Sequence, residues 1–363
     1  MRIMQVIETG GPGGAETIFA NLSAALRDRG HHVHCMVCDG SWLPATLNER
    51  GLPTELMRLS GAFDLTLLRC LRKAIRRERI EVVHAHLFDG AVYAAIAARM
   101  EGIPCVVTLH GQVDIKRTGW RLRIKRYLLN ANARHITTVS DVLRHELAPA
   151  LGVPTSRLVV VPNGIPLQPS HLLPSRTRDG RTQRIVAIGN IRRPKNYPLL
   201  LEATAIVRRT HRAATLHIAG QEDKEGLMEQ LRARADKADL ANHVHFHGFV
   251  DDPQPLLSSA DVFVLASTKE GFSLATIEAM LAGIPVVATR SGGPEEIVRD
   301  GETGLLVPVN DAEALAAAIT SVLDDRARAD SLAEAAIHDA HGRFSMPVMI
   351  ERYEALYAMQ HTS

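Results

Sequence analysis

Short apolar runs rich in Val and Ile alternate with longer amphipathic stretches from one end of the chain to the other. This is the rhythm of βαβ units: strands covered on both faces read as continuous apolar runs, and each crossover helix carries one apolar stripe. In the first half the pattern predicts strands over Arg2–Ile7, His32–Val37, Glu81–His84, Cys105–Leu109, His135–Val139 and Leu158–Val161. Helices are expected over Ala15–Arg29, Leu65–Arg79, Ala91–Arg99, Trp120–Asn132 and Asp141–Ala148. The second half repeats the rhythm, with strands over Arg184–Ile188, Ala214–Ala219, His243–His247, Asp261–Leu265, Pro285–Ala288 and Gly304–Val307, helices between them and three more at the end.

A chain of 363 residues is too long for one ordinary core and suits two. The most linker-like segment begins at Pro162-Asn163-Gly164-Ile165-Pro166 and runs on through polar residues to Thr182. The expected division is therefore 1–165, a linker over 166–182, a second domain over 183–342, and a C-terminal helix over 343–363 that packs back toward the first domain. The fold class is α/β, two doubly wound parallel-sheet domains. Ligands of such sheets sit beyond the carboxyl ends of the strands, here facing a cleft between lobes.

Composition removes other classes. Hydrophobic residues make up 46% and charged residues 23%, which excludes disorder and low-complexity architectures. No apolar run approaches the roughly 18 residues of a membrane span, and Met1–Glu8 enters a strand without a signal peptide's apolar core, so the expected compartment is the cytoplasm. The four cysteines are too dispersed for a disulfide framework, and Cys35 and Cys38 on one strand point to opposite faces. A net charge of +2 hides an asymmetry: residues 1–165 hold 21 Lys/Arg against 14 Asp/Glu, and the remainder holds 21 against 26. The first half is thus suited to meet something anionic.

Three Gly-containing turns follow strands and lead into helices, a pattern that frees backbone N–H groups and aims a helix dipole at an anion. In Glu270-Gly271-Phe272-Ser273-Leu274 the helix opens near Ser273, and Glu278 falls about 7 Å along its axis, so the two carboxylates bracket a bound diphosphate. The others are Ser291-Gly292-Gly293-Pro294 and Gly10-Gly11-Pro12-Gly13-Gly14. His243, His245 and His247 share a strand face, but no carboxylate or cysteine accompanies them. A structural or surface role inside a sheet is favoured over a metal site.

In combination these residues resemble glycosyltransferase family 4, retaining enzymes of the GT-B fold. The resemblance rests on E-G-F-x-L-x-x-x-E-A-M with its Glu270 and Glu278, on S-G-G-P-E-E-I-V, and on D-G-x-T-G-L-L-V over 300–307. Gly13-Gly14-Ala15-Glu16, Val83–His86, Thr108–Gly111, the Val161–Ile165 segment and Gly189 with Lys195-Asn196 also match. The resemblance implies that Glu278 binds the ribose of a nucleotide, that Glu270 contacts the hydroxyls of the transferred sugar, and that backbone at Gly271, Phe272, Ser273 and Leu274 holds the diphosphate. It implies further that Lys195 neutralises leaving-group charge, that Phe249 and Val250 meet the base, that Gly14 allows approach to the diphosphate, and that His110 lies beside the sugar. The family usually places Arg directly after the glycine where this chain has Asn190, so either Arg192 or Arg193 is left to supply the second phosphate cation. His84 and His86 share a face at a strand end, as core residues or as lining of an acceptor cleft.

No metal or other cofactor is expected, because the chain lacks the Asp-x-Asp pair that would hold a divalent ion on a diphosphate. The expected donor is a nucleotide-sugar, UDP by family frequency, and the acceptor a polysaccharide or lipid-linked glycan. Residues 116–127 place six basic residues among Trp120, Leu122, Ile124 and Tyr127, a pattern attracted to anionic membrane surfaces, and a second basic stretch lies at 69–77. Nucleic acid is disfavoured by the absence of a motif and by 4% aromatics. Two alternatives stand beside this reading. A NAD-type oxidoreductase would use Gly11-x-Gly13 and Asp39, but Glu16 occupies the place of the third glycine. A catalytically silent GT-B subunit would have no need of Glu270, Glu278 and Lys195.

Overall fold

The computed structural model describes residues 1–38, 40, 42–61, 64–111, 119–167, 183–222 and 226–358. It divides into two compact units, Met1–Pro166 together with the chain from Phe344 onward, and Leu167–Arg343.

The first unit is a seven-stranded, wholly parallel sheet: β1 (Arg2–Ile7), β2 (His32–Cys38), β3 (Thr54–Met57), β4 (Val82–His86), β5 (Cys105–Leu109), β6 (His135–Thr138) and β7 (Leu158–Val160), in the order β3-β2-β1-β4-β5-β6-β7. Its helices are α1 (Gly14–Asp28), α2 (Trp42–Glu49), α3 (Leu65–Arg77), α4 (Asp89–Met100), α5 (Trp120–Asn132) and α6 (Asp141–Leu151). Every residue of β4 and β5 is buried, which is why those runs are apolar on both faces. Helix starts follow capping chemistry. The Asp64 carboxylate accepts from the Leu67 amide, from the Ser60 amide and hydroxyl, and from the Thr66 amide, and these bonds hold its pKa down to about 2; Ser140 accepts from Leu143 N–H at the start of α6.

The pattern missed α2 and β3. β3 is an edge strand with one fully buried residue among Thr54-Glu55-Leu56-Met57, and α2 contains Pro44, so neither carries the expected periodicity.

The second unit is a six-stranded parallel sheet: β8 (Gln183–Ile188), β9 (Ala214–Ala219), β10 (Val244–Gly248), β11 (Val262–Leu265), β12 (Val286–Thr289) and β13 (Leu305–Val307), in the order β10-β9-β8-β11-β12-β13. Its helices are α7 (Tyr197–Val207), α8 (Leu227–Lys237), α9 (Gln254–Ser258), α10 (Leu274–Leu281), α11 (Gly293–Ile297), α12 (Ala312–Asp324) and α13 (Arg326–Phe344). Leu216, Ile218, Val262 and Val264 of the sheet pack with Leu200 of α7 and with Leu315 and Ile319 of α12 in one core.

One expectation is corrected here. The strand bearing His245 and His247 is the sheet's edge, not its interior, and both side chains are exposed. They stack on His217 of β9, with ring centroids 4.6 and 5.3 Å away.

The last helix, α14 (Met346–Ala358), belongs to the first unit. Ile165 and Ser345 form a parallel bridge, Gly164 packs where a Cβ would lie 2.7 Å from the Ser345 carbonyl, and Glu354 pairs with Arg29 and His31 at 2.8 Å. Pro166 and Leu167 lie on either side of the division between units, while 168–182 of the expected linker lies outside the described residues.

Candidate functional site

In an open parallel sheet the loops at the carboxyl ends part at the topological switch point, and the strand orders place it between β8 and β11 in the second unit. The loop after β8 carries Gly189, Asn190, Arg192, Arg193 and Lys195; the loop after β11 carries Ser267 and Glu270 and leads into α10. Backbone bonds tie these loops together. Thr268 N–H donates to the Pro194 carbonyl at 2.8 Å, Glu270 N–H to the Ser291 carbonyl at 2.8 Å, and Gly293 N–H to the Glu270 carbonyl at 2.8 Å. A Cβ on Gly293 would lie 2.7 Å from the Gly271 carbonyl oxygen and 2.9 Å from Phe272 Cα, so only glycine admits this approach.

Within that frame Lys195 Nζ lies 2.7 Å from Glu270 Oε2, and the Ser267 hydroxyl donates to the same oxygen at 3.1 Å. Ser267 was not singled out by sequence; its only signal is its position directly beyond β11. Tyr197, also missed, donates its hydroxyl to the Gly189 carbonyl at 2.5 Å. Ser273 is buried and caps α10, its Oγ accepting from Thr276 N–H at 3.3 Å, so the helix begins at Leu274 with its N-terminus at the carboxyl end of the sheet.

Glu278, the fifth residue of α10, is only partly exposed, and its carboxylate has no hydrogen-bond partner among the described residues. Desolvation, reinforced by the negative charge of Asp252, pushes its carboxyl up to about 7. A carboxylate in that condition lacks donors that a ligand's hydroxyls could supply. The structure thus places Lys195, Glu270, Gly271, Phe272 and Ser273 on loops beyond the carboxyl ends of β8 and β11, and Leu274 and Glu278 in the helix that follows. Phe249 and Val250 follow β10 on the same carboxyl edge, with Phe249 43% exposed. Arg192 and Arg193 line a hollow of about 240 Å3 with Tyr197, Gln230 and Arg234, which does not separate their roles.

In the first unit the switch point falls between β1 and β4. Gly14 is the first residue of α1. Glu16 lies in that helix's first turn, and a Cβ on Gly13 would lie 2.5 Å from its carboxylate; this side chain stands where a dinucleotide's pyrophosphate would require a bare helix end. Asp39, the other acid of the oxidoreductase reading, lies outside the described residues. His110 follows β5 and is partly exposed. His84 and His86 are fully buried core residues, which settles against their lining a cleft. Burial lowers all three imidazoles: His84 to about 3, His110 to about 4, and His86 well below its ordinary value.

Two parallel-sheet Rossmann-like units, one carrying a helix N-terminus beside a lysine and two glutamates, have the GT-B architecture. The sequence comparisons agree in both halves: residues 12–169 match the model described as Glycosyltransferase Family 4, and residues 173–339 match Glycosyl transferases group 1. The chain belongs to glycosyltransferase family 4.

It is 30% identical over 348 residues to the phosphatidyl-myo-inositol mannosyltransferase of Mycolicibacterium smegmatis, covering 89% of this chain and 85% of that protein. It is 31% identical over 271 residues to the glycogen synthase of Mycobacterium tuberculosis; that alignment covers 72% of this chain and 64% of the synthase, less than two thirds of its length. Among solved structures, Anabaena HepE in complex with UDP and glucose superposes with a TM-score of 0.84 over 99% of this chain and 100% of that one, at 24% identity.

We predict that Gly293→Ala, which forces a methyl group against the Gly271–Phe272 backbone, destabilises the second unit by about 1–3 kcal/mol. Thermal unfolding measures it, and an unchanged midpoint would show that the loops part without cost.

Proposed function

We propose that this chain is a retaining glycosyltransferase that moves a hexose or N-acetylhexosamine from a nucleotide-sugar to a glycan or lipid-linked acceptor without a metal ion. The observation that carries the reading is Glu278, a partly buried carboxylate with a raised pKa and no hydrogen-bond donor, set beside the helix N-terminus that the Lys195–Glu270 pair flanks. A ribose diol supplies the donors Glu278 lacks. The diphosphate is held by the first-turn amides of α10, and the charge that develops on its oxygens as the sugar leaves is met by Lys195 and by Arg192 or Arg193. Glu270 keeps Lys195 in place and accepts from sugar hydroxyls. If attack occurs on the face that the diphosphate leaves, the leaving phosphate takes the acceptor's proton and configuration is retained, so no protein base is assigned.

UDP is favoured because HepE, of like fold, was solved with UDP and glucose. A phosphatidyl-myo-inositol substrate in the name of one relative favours a lipid-linked acceptor here. Among the described residues no helix is long and apolar enough to cross a membrane. The described part of 116–127 exposes Trp120, Ile124 and Tyr127 among basic residues, which supports docking on an anionic surface from the cytoplasmic side; 116–118 lie outside the described residues.

The raised pKa gives the first test a definite sign. The diphosphate diester of UDP-glucose does not titrate near neutrality, and hydroxyl donors favour the ionised form of Glu278. Affinity therefore rises with pH through about 7, and falls below it by up to about tenfold per unit as the proton must first be displaced. Calorimetry should show this profile in the wild type and a flat, weak one in Glu278→Gln; a flat wild-type profile removes Glu278 from the ribose. In an assay containing EDTA, wild-type turnover should persist and Lys195→Ala should lose a factor on the order of 10² or more. Chelator sensitivity, or near-wild-type activity of the variant, contradicts the charge-neutralising role. Vesicle co-sedimentation should require anionic lipid and weaken with salt, and binding to neutral vesicles alone would refute the membrane reading.

A further inference from the structure

The residues behind His110 constrain what its ring can present. His110 Nε2 lies 2.9 Å from His86 Nδ1, and His86 Nε2 lies 3.0 Å from Gln5 Oε1. His86 and Gln5 are fully buried, so no water competes for these contacts. An amide oxygen only accepts, which places the His86 proton on Nε2 and leaves Nδ1 bare in the neutral ring. That bare nitrogen accepts from His110 Nε2–H, and a neutral His110 then has a bare Nδ1 of its own.

We propose that His86, backed by Gln5, is a positioning residue that holds His110 in its Nε2–H tautomer, so that His110 offers an Nδ1 lone pair to a hydroxyl of a bound substrate. The inference rests on the glycosyltransferase reading above. Desolvation favours the neutral rings it requires. The two rings lie nearly parallel, 17° apart with centroids 5.2 Å apart, and Phe19 meets His86 edge-on at 5.3 Å. Packing alone would be served by an apolar ring, and burying an imidazole is costly unless both nitrogens are used. The second buried histidine makes no contact of this kind with His110: His84 Nδ1 pairs with the Tyr357 hydroxyl, which also meets the Gln5 side chain, and its Nε2 with Thr108 Oγ1, the two histidine contacts each at 2.7 Å. The reversed Gln5 amide would send the protons the other way and leave His110 with a donor at Nδ1; the experiment separates the two.

In the full-length protein labelled with 15N-histidine, the ring signals lost in His110→Asn identify His110 in the wild-type spectrum. A protonated Nε2 with a bare Nδ1 is expected, and the opposite tautomer overturns the proposal without recourse to any His86 variant. Transfer is then measured with the best donor among UDP-glucose, UDP-galactose, UDP-N-acetylglucosamine and GDP-mannose. His86→Leu, which removes the acceptor, should lower kcat on the order of tenfold or more while KM for the donor stays within about twofold. His86→Asn, whose side-chain oxygen can accept in the same place, should recover most of the loss. Equal kcat in wild type and His86→Leu, or equal losses in the Leu and Asn variants, overturns the positioning role. If the wild type transfers no sugar from any of the four, the proposed function fails instead, and the tautomer is still decided by the spectrum.

Discussion

The second unit depends on the pairing of backbone at the carboxyl ends of its strands. Without the Thr268–Pro194, Glu270–Ser291 and Gly293–Glu270 hydrogen bonds, Lys195 and Glu270 would sit on independent loops, and a 2.7 Å contact between two long side chains would contribute little against the entropy of ordering them. With the loops fixed, the ion pair is preorganised and largely withdrawn from water. On the function proposed above, an incoming diphosphate would find the ammonium already placed, and Glu270 would trade part of its contact for sugar hydroxyls. Charge stabilisation of this kind costs no reorganisation at the moment of bond cleavage.

How much of this was legible in the sequence depends on where the information lies. Buried parallel strands were readable because burial on both faces forces a continuous apolar run, and β1, β5 and β9 occupy the expected residues without change. Edges were not: β3 needs little apolar character, and the position of β10 at an edge follows from strand order, which no local pattern contains. The relative placement of the candidate donor-binding residues was legible for a related reason. Glu270, Ser273 and Glu278 lie within nine consecutive residues, and their joint geometry follows from one turn and one helix.

Behind His110 the opposite holds. Gln5 and His86 come from two strands and His110 from the loop after a third, and the tyrosines behind His84 come from α14, more than 240 residues further along the chain. Only parallel pairing with Gln5 beside His84 and His86 beside Thr108 brings them together. Polar residues in apolar runs gave a hint, since a buried His or Gln must find partners, but the identity of those partners was not local information. Tyr353 and Tyr357 entered the network because α14 packs on the first sheet, where their hydroxyls meet Thr108 and His84.

Charge shows the same distinction between composition and structure. The excess of Lys and Arg in the first half suggested two basic faces, yet on α3 much of that charge is already answered: Arg72 and Arg76 each meet Glu101 at 2.6 Å, and Arg77 meets Glu55 at 2.5 Å and Glu78 at 2.9 Å. Exposed pairs of this kind are individually weak, but they lower the potential that a distant anion feels. On α5, Lys125 is paired with Asp89, whereas Trp120 and Tyr127 stand 62% and 71% exposed beside Arg121 and Arg123. Attraction to an anionic surface combines charge with apolar area that can enter the headgroup boundary. α5 offers both and α3 offers mainly charge, much of it already held by carboxylates of neighbouring segments, so the two basic stretches that look alike in sequence are not equivalent in the folded protein.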